Sequence, residues 1–268
     1  MKQQNIISSI LIEAPPIHIF TVSNLRRFAY YAAASYCNLS LNNWDCGEVC
    51  KATEGTQFVK MFNDDEFNTK GYIALDKQNK LIIVAYRGTI PGSIKNWHAD
   101  LAAYQDSYNP VRGVKVHHGF YKPVRGVKVH HGFYKTFKRL QPKITDVVIR
   151  LHQNNPNFRI GLIGHSLGGA LAALSALDLM QKVPHLVNND ALFLSTFGQP
   201  RVGNSNFAEY VDNNLKLIAR TIVHGDPVPR LPSSNPIPYF GSYKHFGEEL
   251  YINNPNEDPN SFIYESLF

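Results

Sequence analysis

The sequence predicts an α/β fold, in which helices pack on a mainly parallel sheet, and three features of the chain indicate this class. Short β-branched and apolar runs alternate with helical segments, which is typical of parallel strands joined by helical crossovers. The 268 residues are enough for one large domain with a full core, and 44% hydrophobic with 18% charged residues is an ordinary globular composition. No apolar run reaches the roughly 18 to 20 residues of a membrane span, so we expect no transmembrane segment.

The first predicted elements are a helix and a hairpin. Ser23 is predicted to cap a helix whose apolar residues recur at helical spacing as far as Cys37. Two β-rich runs, 71–75 and 81–86, are predicted to pair around the turn residues 76–79. Residues 1–19 precede these elements and are interpreted as an N-terminal extension, a remnant of a signal or pro-region.

Three cysteines, Cys37, Cys46 and Cys50, lie in the first fifth of the chain. Cys46 and Cys50 are close enough in sequence for a local disulfide, which leaves Cys37 without a partner. A zinc site is the competing interpretation, but the sequence offers no second Cys or His pair at ligand spacing. The disulfide is therefore favoured.

Residues 160–170 carry the strongest chemical pattern, because an apolar β-branched run ends at Gly164 and a small, apolar helix follows. Ser166 stands between Gly164 and Gly168, and a turn this sharp holds its central residue in a strained conformation with the side chain exposed. The unpaired N–H groups at the start of the helix point toward any anion that forms beside the serine. The pattern predicts a nucleophilic serine; the alternative is a chance Gly-x-Ser-x-Gly in a loop.

Two further segments are predicted to reach the same edge of the sheet as Ser166. A turn-rich loop after the hairpin contains Thr89, whose hydroxyl and neighbouring N–H groups can extend toward the serine if the strands are neighbours. Two later strands, 192–197 and 220–223, follow the serine helix, and the second delivers Asp226 to its carboxyl end. The carboxyl edge of a parallel sheet therefore brings together a hydroxyl nucleophile and a carboxylate.

A short helix is predicted after Ser93, with Ile94, Trp97 and Leu101 on one face. The spacing alone favours a surface helix packed on the core. The second interpretation is a mobile lid whose apolar face covers an active site, since the prolines and glycines around it are suited to hinges.

Residues 110–122 recur without a change as 123–135. Only the second copy runs directly into an amphipathic helix, predicted over 137–151 with Pro142 in its first turns. We therefore interpret the second copy as the structural one and the first as an insertion looped out at the surface. The two copies carry four histidines, His117, His118, His130 and His131. A metal site is disfavoured, because a copied segment duplicates its histidines whatever their role.

The net charge of +6 is compatible with an anionic partner such as a lipid surface. Part of that charge has a simpler source, because each repeat copy adds one Arg and two Lys and no acid. No module of interleaved aromatic and basic residues is present, so nucleic acid is set aside as a partner.

From about Phe20 to about Ile252 the chain resembles the class 3 lipases, a family of secreted filamentous-fungal triacylglycerol lipases and their feruloyl esterase relatives. The resemblance rests on several specific motifs at residues 32–37, 44–46, 86–89, 96–101, 129–133, 164–169, 198–204 and 226–232. It implies an α/β-hydrolase fold over 20–268 with a short lid helix. It also reverses the preference for a packed helix at 90–100, which resembles the family's lid.

The resemblance further implies the roles of individual residues. Ser166 resembles the nucleophile and Asp226 the acid that orients the catalytic histidine, while Thr89 and the N–H of Leu167 resemble the oxyanion hole. The expected function is that of a carboxylic ester hydrolase, a triacylglycerol lipase working through a serine acyl-enzyme. No metal or organic cofactor is implied, and the expected partner is a lipid or ester substrate at a lipid–water interface. We expect a secreted, extracellular monomer.

The base that completes the triad follows the acid in this family, and His245 is the one histidine after Asp226. However, residues 243–251 resemble the family's structural histidine segment, which precedes the catalytic one. The family counterpart of Cys37 pairs with a cysteine near the C-terminus, and this chain has none there. We therefore expect that 20–268 lacks the C-terminal segment and that the true base lies beyond Phe268. The alternatives are a feruloyl esterase, or a catalytically impaired lipase-like protein that binds lipid or a partner.

Overall fold

A computed structural model of the chain describes residues 19–37, 39–89, 105–108, 125–235, 242–253 and 263–264. Most of the N-terminal extension, the predicted lid with Ile94, Trp97 and Leu101, and the first repeat copy at 110–122 lie outside these ranges.

Strands of a central sheet and a small accessory sheet account for the β-structure of the described residues. The strands are β1 Thr56–Asp64, β2 Thr69–Asp76, β3 Leu81–Tyr86, β4 Gln105–Ser107, β5 Lys128–His130, β6 Arg159–His165, β7 Leu192–Phe197, β8 Ile218–Val223, β9 Glu248–Ile252 and β10 Ile263–Tyr264. The central sheet has the order β1-β2-β3-β6-β7-β8-β9-β10, and β4 pairs with β5. Strands β3, β6, β7, β8 and β9 are parallel neighbours, whereas β1, β2 and β10 join antiparallel at the two edges.

The parallel register brings the carboxyl ends of four strands to one edge. Tyr86 at the end of β3 lies opposite Gly164 of β6, and His165 lies opposite Phe197 at the end of β7. The loops after β3, β6, β7 and β8 therefore leave the sheet side by side. The predicted hairpin of β2 and β3 and the predicted strand 192–197 are confirmed.

Seven α-helices are formed by the described residues. They are α1 Val22–Ala34, α2 Glu48–Lys51, α3 His131–Leu140, α4 Thr145–Asn154, α5 Leu167–Lys182, α6 His185–Asn188 and α7 Ser205–Asn214. Short 3₁₀ turns occur at Leu39–Asn43, Gln141–Lys143 and Val228–Arg230. No described helix is long and apolar enough to cross a membrane.

Helices cover both faces of the sheet, and successive side chains along a strand point alternately into the two cores. On β3, Ile82 and Val84 belong to the core that α5 shares with its neighbouring helices. Ile83, between them, faces the opposite core, where α1 contributes Leu25 and Phe28. Full burial of a side chain such as Phe28 stabilises the fold by about 2 to 3 kcal/mol. This two-sided burial explains why the central strands read as continuous apolar runs.

Two sequence-based boundaries are wrong. The cap of α1 is Thr21, not Ser23, because the Thr21 hydroxyl accepts the Asn24 N–H at 3.2 Å. The single helix predicted over 137–151 is two helices, α3 and α4, separated by the 3₁₀ turn around Pro142. Proline has no N–H to donate and its ring crowds the preceding turn, so the helix is interrupted there.

The described part of the second repeat copy is built into the fold. Strand β5 pairs with β4, Val129 and Phe133 are buried, and the His130 side chain caps α3 by accepting the Phe133 N–H. Adjacent His131 instead contacts Asp106 at 2.8 Å, so the two histidines have different partners.

The predicted disulfide between Cys46 and Cys50 is formed, whereas Cys37 is a free cysteine.

Candidate active site

Ser166 occupies the sharp turn between β6 and α5. Its backbone has φ 55° and ψ −128°, a conformation that is strained for a residue with a side chain. The Ser166 N–H donates to the carbonyl of Phe197 on the adjacent strand at 2.9 Å, and its own carbonyl accepts the Gly169 N–H at 2.9 Å. These bonds hold the serine at the carboxyl edge of the sheet with only 3% of its surface exposed.

The two glycines that flank Ser166 are required by close contacts. A Cβ at Gly164 would lie 2.2 Å from the carbonyl oxygen of Gly168. A Cβ at Gly168 would lie 2.2 Å from the carbonyl oxygen of Tyr86 at the end of β3. The helix therefore begins directly against both strands, and no other residue type fits at these two positions.

The loop after β3 presses against the serine. A Cβ at Gly88 would lie 2.6 Å from the His165 carbonyl oxygen and 2.9 Å from the Ser166 Cβ. Thr89 follows, and its buried Oγ1 has no hydrogen-bond partner among the described residues. Leu167 opens α5, so its N–H belongs to the first turn, where the helix supplies no acceptor. An unpaired hydroxyl and a helix-start N–H thus flank the serine.

Asp226 follows β8 at the same edge of the sheet. Its N–H donates to the Val223 carbonyl at 3.1 Å and its Oδ1 accepts the Val228 N–H at 2.9 Å. Its Oδ2 lies against Gly198, where an added Cβ would be 2.7 Å from that oxygen. The same Cβ would be 3.7 Å from His165 Nε2, so the carboxylate and this imidazole border one small space.

His165 and Tyr36 belong to this site although sequence reasoning gave them no role. The Tyr36 hydroxyl lies 2.6 Å from His165 Nδ1 and accepts the Gly88 N–H at 3.1 Å. His165 is exposed on one side, but loss of solvent around the rest of its ring lowers its pKa, and the attraction of Asp226 opposes that effect. Because Tyr36 and His165 are 129 positions apart, no spacing in the sequence signals the contact.

His245 is not brought to Ser166 or Asp226 by the described structure. Its Nε2 donates to the Pro229 carbonyl at 2.7 Å, and its buried Nδ1 has no partner among the described residues. Burial, aided by the positive charges of Arg220 and Arg201, lowers its pKa to about 3. Such an imidazole is neutral and enclosed, which is the environment of a packed structural histidine.

No group of three or more His, Cys, Asp or Glu side chains within the described ranges is placed to hold a metal ion.

A family model decides the assignment: the model for class 3 lipases matches residues 83–235. The chain belongs to the class 3 lipase family. The match spans β3, the serine turn and Asp226, so it covers the strands that assemble the site.

Individual class 3 lipases are similar over most of this chain. The lipase of Rhizomucor miehei is 35% identical over 241 residues, which are 88% of this chain and 60% of that protein. The secreted mono- and diacylglycerol lipase A of Penicillium camembertii is 30% identical over 252 residues, 88% of this chain and 73% of that protein. The chain therefore spans about 60% of the length of the Rhizomucor lipase.

Solved class 3 lipase structures share the α/β-hydrolase fold of this chain. One, described as a triacylglycerol lipase whose catalytic centre is a serine protease triad, is 35% identical with a TM-score of 0.74. The alignment covers 87% of this chain and 80% of that one. The predicted fold class and family are confirmed, and these relatives give no support to the feruloyl esterase alternative.

Proposed function

We propose that this class 3 lipase family member is a carboxylic ester hydrolase that acts on acylglycerols. The observation that carries the proposal is the strained Ser166 turn with the Gly88 loop and the start of α5 packed against it. A nucleophile held this way is pre-oriented for attack on an ester carbonyl. The named lipase relatives support the choice of acylglycerols as substrate class.

In the proposed reaction, the Ser166 hydroxyl attacks the ester carbonyl and loses its proton to an imidazole base. The Thr89 hydroxyl and the Leu167 N–H stabilise the negative charge of the tetrahedral intermediate. Collapse of the intermediate releases the alcohol, which takes the proton from the base, and leaves an acyl-enzyme that water hydrolyses. Asp226 orients the base and stabilises its protonated form.

His245 is the candidate base that the sequence offers, and its role can be tested directly by mutation. His245 would have to leave the Pro229 carbonyl to reach Ser166, so we expect His245→Gln to retain whatever esterase activity the chain has. Loss of hydrolysis in His245→Gln without a change in melting temperature would instead assign the base to His245.

The central test is Ser166→Ala, assayed by hydrolysis of p-nitrophenyl butyrate and by fluorophosphonate labelling. We expect the variant to lose labelling completely and hydrolysis by at least about 1,000-fold, because the covalent intermediate cannot form. Ser205→Ala, at the exposed start of α7, is the matched control and should leave both readouts unchanged.

Hydrolysis that survives in Ser166→Ala would refute the proposed mechanism. A folded wild-type chain with neither hydrolysis nor labelling would mean that these residues form a lipase scaffold without a working base, and it would count against turnover by this chain.

Activity at a lipid–water interface is a further part of the proposal. It rests on the apolar face of Ile94, Trp97 and Leu101, predicted as a lid. We expect the rate to rise sharply when a short-chain ester exceeds its solubility limit, because the lid opens when its apolar face meets lipid. Smooth saturation through that limit, or the same jump in Trp97→Ser, would contradict an interfacial lid.

We also propose an extracellular location. The Cys46–Cys50 disulfide supports it, since disulfides persist in oxidising compartments. The Penicillium relative is named as a secreted lipase, which points in the same direction.

A further inference from the structure

The contact between Tyr36 and His165 joins three separate parts of the site. Tyr36 lies just beyond the end of α1, His165 ends β6 immediately before the nucleophile, and Gly88 belongs to the loop that carries Thr89. The Tyr36 and His165 rings meet edge to face with centroids 5.7 Å apart. Helix, nucleophile strand and oxyanion loop are therefore connected through one phenol oxygen.

One of the two hydrogen bonds of Tyr36 has a fixed direction, and the direction of the other depends on the tautomer of His165. Gly88 N–H can only donate, so the Tyr36 oxygen accepts there. We assign the phenol proton to the bond with His165 Nδ1, 2.6 Å away, and the imidazole proton to Nε2, because a proton on Nε2 is the one that the Asp226 carboxylate attracts. Burial raises the pKa of Tyr36, so the phenol keeps its proton near neutral pH. The His165 side chain is exposed on one side, and loss of solvent around the rest of the ring lowers its pKa, which favours the neutral imidazole.

The other end of the imidazole faces Asp226. Nε2 and the Asp226 Oδ2 both border the space left open by the absence of a side chain at Gly198. Within the described structure no hydrogen bond or ion pair joins His165 to Asp226, so an N–H at Nε2 acts on the carboxylate only by charge attraction across this space. The Val228 N–H holds the other oxygen, Oδ1, at 2.9 Å.

We propose that Tyr36 and His165 are positioning residues, which form a polar chain between the Gly88–Thr89 loop and the Asp226 carboxylate. Two hydrogen bonds join Gly88 N–H to Tyr36 and Tyr36 to His165, and the imidazole acts on Asp226 by charge attraction. The inference rests on the proposed hydrolase function. In it, Tyr36 fixes the loop that stabilises the oxyanion, and His165 fixes the acid that orients the base. Neither residue touches the reacting atoms.

The spectroscopic test uses the full chain and needs no turnover. In ¹⁵N-histidine-labelled protein at pH 7, we expect His165 to show a protonated Nε2 and an unprotonated Nδ1. Tyr36→Phe, which keeps the ring and removes only the hydroxyl, should shift the Nδ1 resonance and speed amide exchange at Gly88 about tenfold. A wild-type His165 protonated on Nδ1, or unchanged Gly88 exchange in Tyr36→Phe, would overturn the proposal.

The kinetic test separates positioning from general stability. Tyr36→Phe should lower kcat on p-nitrophenyl butyrate about tenfold and change KM less than about twofold, because the loss falls on the transition state. His165→Asn keeps an acceptor near the Nδ1 position and should retain more kcat than His165→Ala.

Tyr30→Phe is the matched control, since Tyr30 lies on the same helix with 42% of its surface exposed. It should leave kcat, KM and Gly88 exchange unchanged. An equal kcat in Tyr36→Phe and wild type would refute the positioning role. Absence of hydrolysis in wild type would count against the proposed function alone, while the histidine spectrum and Gly88 exchange would still decide the polar chain.

Discussion

At the residue scale, the candidate site depends on positions where a side chain would occupy the space of a proposed catalytic group. Gly198 is the clearest example, because its φ of +56° is unfavourable for other residues and its missing Cβ leaves room for Asp226 Oδ2. A methyl group there would lie 2.7 Å from that oxygen, closer than van der Waals contact allows. The Asp226 side chain can rotate more easily than the backbone at Gly198 can shift, so the carboxylate would move.

Gly198→Ala should therefore impair catalysis more than folding. We expect kcat/KM to fall about 100-fold from misplacement of Asp226, with a stability loss of about 1 to 2 kcal/mol from the positive φ. Gly55→Ala is the matched control, since Gly55 has φ +82° and its added Cβ would meet only Gln78 at 3.9 Å. Ester hydrolysis and urea unfolding measure the two effects, and equal losses of activity in both variants would contradict the argument.

At the element scale, the second copy of the duplicated segment is part of the packed structure, whereas the first copy lies outside the described residues. In the second copy, Val129 and Phe133 are buried, the Phe133 ring packs on His130 at 4.2 Å, and β5 pairs with β4. This copy continues directly into α3, which packs on α5 beneath the serine. We therefore keep the prediction that the continuation into a helix, which only the second copy has, makes that copy the structural one.

The chain supplies its own control for this interpretation. Phe133→Ala should lower the free energy of unfolding by about 3 to 5 kcal/mol, since it removes a buried aromatic ring and leaves a cavity in its place. Phe120→Ala, at the equivalent position of the first copy, should change it by less than about 0.5 kcal/mol if that copy is looped out at the surface. Urea denaturation of both variants tests the difference; comparable losses would show that both copies are packed.

At the scale of the whole molecule, the fold shields two imidazoles from solvent, His130 and His245, which would gain protons in the unfolded chain. Burial lowers the pKa of His245 to about 3 and that of His130 to about 4, whereas an unfolded imidazole has a pKa of 6.5. Below pH 6.5 these two histidines therefore bind more protons in the unfolded state than in the native state. Stability is full above that pH and is lost as the pH falls toward 4.

We expect the free energy of unfolding to fall between pH 6.5 and pH 4 by up to about 1.4 kcal/mol per pH unit for each of these two histidines. His245→Gln should reduce this pH dependence, because an amide has no proton to gain in that range. His224→Gln, at an exposed position, is the matched control and should leave the pH dependence of unfolding unchanged. Urea unfolding at pH 7, 6, 5 and 4 makes the comparison, and an unchanged slope in His245→Gln would rule out the buried imidazole as a cause.

The sequence by itself determined the elements that depend on local patterns. The apolar run, the two glycines and the helical segment around Ser166 predicted the strand, turn and helix, because each rests on steric demands within about twenty residues. The hairpin of β2 and β3, the disulfide of Cys46 with Cys50 and the parallel sheet followed from the same kind of local information. The local pattern gave a wrong prediction at Pro142, where the apolar spacing runs continuously through two separate helices.

Only the tertiary structure decided which distant groups meet. The approach of Tyr36 to His165, and of both Asp226 and His165 to Gly198, depends on strand order and on the ends of four loops, none of which leaves a periodic signal. The environment of His245 is equally non-local, since its Pro229 partner and the nearby Arg220 and Arg201 come from other segments. A sequence shows which side chains are chemically reactive, but the packing of the sheet sets their distances and burial. Those quantities determine the protonation state of each group and the partners it contacts.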